Sequence, residues 1–283
     1  MLLQLHARPE RASDLVQPDV LQTHPHTQHD TYIDGFGNRC TRLLAPAGVL
    51  HLSTRFLIRD SGRKERLPLG AKQALVNELP DDVLVYLLGS RYCDTDRMAT
   101  EAWALFGHIA PGWDRVKAIL DYTHQRVAFG YQHARADRMA SECHREQVGV
   151  CRDYAHLAIT LCRCLNIPAR YCTGYLGDIG VPADPAPMDF SAWFEVFLGG
   201  AWHTLDARHN EPRTGRILMA RGRDATDAAI STAFGAARLL RFEVITEEVK
   251  MARGRKPAAR APAQSPVRVS GSASTFSSAG LLP

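Results

Sequence analysis

No apolar run in the sequence approaches the ~18 residues that suggest a membrane span, so no membrane partner is expected. Charge of one sign is also scarce. Across 283 residues, 34 Lys and Arg against 30 Asp and Glu leave a net charge of +4, and part of that excess sits in a basic C-terminal stretch. So balanced a chain implies no nucleic-acid surface. Internal repeats are absent, which removes solenoids and propellers from consideration. The opening residues show no secretory signal, and the seven cysteines are odd in number and scattered. Free thiols in the cytoplasm fit that pattern better than a disulfide framework.

What is present is apolar content of 45%, enough for one large core or two modest ones. Residues 1–75 read as a small β domain. Within it, 1–7 and 48–58 have strand composition, and a turn at 32–38 precedes a strand over 39–44. His24, His26 and His29 form an H-P-H-x-x-H group. Pro25 extends that loop and no fourth ligand lies nearby, so the group reads as solvated and no metal or cofactor is expected. Residues 76–248 read as the main α+β domain, with helices near 81–88, over 95–106 and over 113–127, and a last strand over 239–245. Residues 249–283, rich in Ala, Pro, Ser, Gly and Arg, have too few large apolar residues to order and read as a disordered basic tail.

The centre of the chain is Gly149-Val-Cys-Arg-Asp-Tyr-Ala-His-Leu157. After Cys151, residues Ala155, Ala158, Leu161, Cys162 and Leu165 recur at three- and four-residue steps, the pattern of a buried helix. Cys151 then stands at the helix N-terminus, where free N–H groups and the macrodipole favour an anion. On that ground its thiol is expected below the free value of about 8.5. His156 falls about 140° around the helix from Cys151 and reads as a packed histidine.

A hairpin follows. The β-rich runs Ser191–Leu198 and Ala201–Asp206 flank Gly199-Gly200, a two-residue turn signal. Such a turn pairs Leu198 with Ala201, Trp193 with Asp206 and Ser191 with Arg208. Alternation then puts Ser191, Trp193, Glu195 and Asp206 on one face, with His203 and His209 on the other. Only if the strand broke at Ala207–Arg208 in a bulge or turn would His209 swing inward.

The ordered blocks GVCRDYAHLA, IPARYCTGYL, S-A-W-F-E-V and W-H-T-L-D resemble the transglutaminase-like superfamily over roughly residues 85 to 245. The resemblance implies a papain-like core, a helical lobe with an antiparallel sheet, and a Cys-His-Asp triad for acyl transfer on peptide or protein amides. Cys151 matches the nucleophile and Asp206 the third member. Where the family reads H-A-W, this chain reads Ser191-Ala192-Trp193. A serine hydroxyl does not titrate near neutral pH, and losing a proton carrier lowers rate by roughly 10²–10⁴-fold. His209 is the first substitute. Asp189 and the Gly- and Pro-bearing loop 177–182 would overlie the cleft. Trp193 and Asp153 are further cleft candidates, against plainer roles in hairpin packing and in the first helical turn. Two functions stay open: a cysteine acyl-transfer enzyme, using water or an amine as acceptor, and a binding module that keeps the cleft without the chemistry.

Overall fold

A computed structural model describes residues 1–249; the basic tail expected beyond that point lies outside the described residues. The strands are β1 (Leu2–Leu3), β2 (Leu15–His24), β3 (His29–Ile33), β4 (Arg39–Leu43) and β5 (His51–Ile58). Helices α1 (Asp81–Leu84), α2 (Thr95–Phe106) and α3 (Trp113–Arg126) follow, then the short β6 (Ala128–Phe129), α4 (Ala140–Glu146) and β7 (Val148–Gly149). The chain continues through α5 (Cys151–Cys164), β8 (Ala169–Leu176), β9 (Ser191–Leu198), β10 (Ala201–Leu205), β11 (Arg216–Gly222) and β12 (Ser231–Thr232). Among the described residues no helix is long and apolar enough to cross a membrane.

Helix α5 is the axis of the fold. Twelve of its 14 residues are buried, so it is enclosed all round rather than amphipathic. Helices α2, α3 and α4 pack on it from one side, and β8 and β9 from the other. Leu157, Leu161 and Leu165 join Val116, Ile119, Phe194 and Val196 in the main core. Burying Arg163 on such a helix requires every donor to find an acceptor. Its guanidinium meets the carbonyls of Leu88, Ala169 and Arg223.

The central sheet is antiparallel, in the order β10-β9-β8-β11. Gly199 and Gly200 have φ of +58° and +81°, the left-handed pair that a two-residue hairpin demands. Leu198 pairs with Ala201 as the turn predicts, and the ladder runs to Leu205 opposite Phe194. It stops there. The predicted pairs of Trp193 with Asp206 and Ser191 with Arg208 do not form, because the chain leaves the sheet at Asp206. Ser191 is instead held on its other side, opposite Gly174 of β8.

The N-terminal strands do form a sheet, in the order β12-β1-β4-β3, and β12 comes from the far end of the described chain. A second apolar cluster joins Leu3, Leu5, Leu21 and Phe56 to Tyr175, Phe190, Ile217 and Val244. The small β region and the central sheet therefore share a core. The strand expected over 239–245 is absent. Its apolar residues Phe242 and Val244 serve as packing anchors on this cluster, and strand-like composition alone does not supply a ladder.

Candidate active site

Cys151 is the first residue of α5. The acid at the third helical position reaches back, with Asp153 Oδ2 accepting from the Val150 N–H at 2.9 Å. Gly149 keeps this turn tight, since a Cβ there would lie 2.7 Å from the Asp153 side chain. Asp153 is 1% exposed and receives Arg138 Nη1 at 2.9 Å. It fastens the helix start from below and does not line a cleft, contrary to the expectation for it.

The residues after β10 form a turn around Asp206. Asp206 C=O accepts from Asn210 N–H at 2.8 Å, and its Oδ1 accepts from the N–H groups of Arg208 and His209 at 2.9 and 3.1 Å. This is the local closure that Asp side chains favour. It reverses the strand parity and returns His209 to the carboxylate, where Nδ1–H donates to Asp206 Oδ2 at 2.8 Å. With Nδ1 committed, Nε2 is the acceptor nitrogen. Helix α3 pins the turn from outside: His124 Nδ1–H donates to Arg208 C=O at 2.8 Å, and Asn210 Nδ2 to Asp121 Oδ1 at 2.7 Å.

Asp206 is 5% exposed. Burial would raise its carboxyl, but Arg216, whose Nη2 lies 3.0 Å from Oδ2, together with His209 holds it well below the usual carboxylate range. Arg216 in turn rests on Glu65 Oε1 at 2.6 Å and over the Trp193 ring at 4.5 Å.

The thiol departs from expectation. Although Cys151 as a residue keeps some exposure, its sulfur is enclosed. Burial pushes it up to about 11, assisted by Asp189 and Asp206 and opposed by Arg208 and the Ala192 N–H. A helix N-terminus lowers a thiol only if desolvation does not outweigh it. Here desolvation wins, and the resting group is a neutral thiol.

Ser191 is 6% exposed and its Oγ has no hydrogen-bond partner. It lines a small cavity with Asp189, Arg208, His209 and Tyr131, and burial raises the Asp189 carboxyl. The structure thus gathers Asp189, Ser191 and His209 around one cavity at the start of β9, with Asp206 bonded to His209 and with Asp189 and Asp206 near enough to act on the Cys151 thiol. Trp193 shares the strand face of Ser191 but lies further along β9, 2% exposed beneath Arg216, and does not line that cavity. Glu195, on that same face, is buried in pairs with Arg170 and Arg221. His156 is fully buried, stacked on Tyr92 and tilted against Tyr171. His24, His26 and His29 do not combine with other side chains into a metal-binding group among the described residues.

Sequence reasoning missed Arg208, Arg216 and Glu65. Arg208 had a signal in its place beside Asp206. The other two reach the site through tertiary contacts that no local pattern carries.

A family model described as the transglutaminase-like superfamily matches residues 105–207. The crystal structure of a Cytophaga hutchinsonii protein named as a candidate cysteine protease superposes with a TM-score of 0.67 at 30% identity, covering 81% of this chain and 78% of that one. The periplasmic domain of TgpA from Pseudomonas aeruginosa matches at 18% identity and a TM-score of 0.40, covering 74% of this chain and 70% of that one. An uncharacterized protein of Mycobacterium leprae (strain TN) is 35% identical over 83 residues, which span 29% of this chain and 30% of that relative.

Proposed function

Because the chain belongs to the transglutaminase-like superfamily, we propose that it is a cysteine-type acyl-transfer enzyme acting on peptide or protein amides, with His209 in the role that Ser191 cannot fill. The reading rests on one observation, the 2.8 Å contact between His209 Nδ1 and an Asp206 that is kept ionised. That contact orients the ring, leaving Nε2 free to take a proton. Cys151 starts neutral, so its proton passes to His209 Nε2 as sulfur attacks the amide carbonyl carbon. The carbonyl oxygen takes up the negative charge near the free N–H groups at the start of α5. Collapse expels the amine, which takes the proton from His209, and leaves a thioester on Cys151. Water or a second amine then attacks that thioester and restores the thiol.

A second reading, a binding module without turnover, is favoured by the raised Cys151 thiol and by Ser191. Mass spectrometry of a glutamine-containing peptide mixture incubated with the protein, with and without hydroxylamine, separates the two. In the enzyme, wild type yields deamidated or hydroxamate product, Cys151→Ala yields none, and His209→Ala loses roughly 10²–10⁴-fold in rate. Wild-type rates in His209→Ala would remove that residue from the mechanism. Product from Ser191→His but none from wild type would establish the binding module.

A further inference from the structure

The sheet face turned away from α5 carries a cavity of about 220 Å³ lined by six arginines and four carboxylates, with Trp193 among its walls. Most of these charges cancel locally. Arg8 pairs with Glu10, Arg11 with Asp14, and Arg221 with Glu10 and Glu195. Two buried guanidinium groups do not complete their bonding in this way. Arg213 is 5% exposed, and its nearest carboxylate, Asp178, lies 3.9 Å away. Its Nη2 donates to Gly177 C=O at 3.2 Å, while its Nε has no acceptor. Arg216 uses Nε and Nη2 on Glu65 and Asp206 and leaves Nη1 without one. The exposed Arg63 stands on the same cavity wall.

Buried donors without acceptors are destabilising, and a planar guanidinium matches an oxyanion in charge and in fork geometry. We propose that this cavity is a binding site for a small oxyanion, a phosphate or a carboxylate group, held by Arg63, Arg213 and Arg216. Its volume suits a compact anion and falls short of the ~300–1,000 Å³ typical of drug-sized ligands. The site adjoins the cavity beside Ser191 and His209 without being part of it. Arg213 lines both cavities, and Arg216 spans from this cavity to Asp206 Oδ2. An anion held against Arg216 therefore bears on the arm that steadies Asp206. None of this requires Cys151 to react.

Isothermal titration of the full chain with sodium phosphate and with sodium citrate, at matched ionic strength in chloride, tests the site. The expected result is saturable heat with at least one anion, weakened tenfold or more in Arg213→Gln and in Arg63→Ala. Phosphate alone would assign a phosphoryl ligand, citrate alone a carboxylate, and both an oxyanion site that does not discriminate between them. If Arg213→Gln fails to fold, the exposed Arg63→Ala decides. Absence of saturable heat with both anions, or equal affinities in wild type and variants, would overturn the proposal.

Discussion

Two cationic partners share one oxygen of Asp206: Arg216 permanently and His209 when protonated. The carboxylate is thereby kept ionised across the neutral range. The sign for stability follows. A carboxyl whose folded value is depressed adds stability above its ordinary value of 3.8, and loses it as pH falls below that. Cys151 runs the other way. Raised to about 11, it is protonated at neutral pH and holds roughly two orders of magnitude less thiolate at pH 8 than a free cysteine of pKa about 8.5. Iodoacetamide labelling of Cys151 across pH, read by peptide mass spectrometry, should give a midpoint well above that of free cysteine. A midpoint below about 8.5 would mean that the helix terminus outweighs burial and that the thiolate is preformed. At this scale the place of Cys151 at a Gly-marked helix start was legible, and the return of His209 toward Asp206 was legible only as an alternative to regular strand parity. The thiol's burial was not legible, since it depends on what β9 and the 206–210 turn bring against it.

Elements were most readable where turn chemistry and periodicity agreed. Gly199-Gly200 gave the β9–β10 register, and the 3.6-residue period gave α2, α3 and α5 to within a residue or so. The end of β10 was not legible, because a strand stops where a competing side-chain bond captures the backbone, and Asp206 does this with the N–H groups of Arg208 and His209. The spacing of β8 from its neighbours has its own determinant. A Cβ on Gly174 would lie 2.0 Å from the Ile217 carbonyl oxygen and 3.0 Å from the Trp193 ring. The first contact is with backbone and has no rotamer escape, so Gly174→Ala must push β11 from β8. Overpacking of this kind costs about 1–3 kcal/mol, and chemical denaturation should show a loss in that range. Because Arg216 leads β11 and Ser191 opposes Gly174, the proposed acyl-transfer activity should fall further than the lost stability accounts for. A variant of unchanged stability would show that the two strands slide apart without strain.

At the scale of the molecule, the small β region and the larger core are joined by contacts that composition does not report. β1 is bonded on one side to β4 and on the other to β12, across more than 200 residues of chain. Leu5, 1% exposed, lies in the same apolar cluster as Tyr175 of β8 and Ile217 of β11. Glu65, in the segment that joins the two parts, ends on Arg216. No local pattern reports such pairings, since each is set by where the chain returns and not by where it starts. They do fix how unfolding proceeds. If residues 1–75 were independent, Leu5→Ala would lower one transition and leave the other in place. With a shared core, removing those methyl groups leaves a cavity that both sheets line, at a cost of about 2–5 kcal/mol. Scanning calorimetry of residues 1–249 should then show one cooperative transition, with calorimetric and van't Hoff enthalpies equal, displaced as a whole by Leu5→Ala. A split endotherm in which only the lower peak moves would mean that the β region folds apart from the sheet that carries the site. The contact between Glu65 and Arg216 would then be a docking of two independent bodies, and Asp206 would depend on that docking for its second cation.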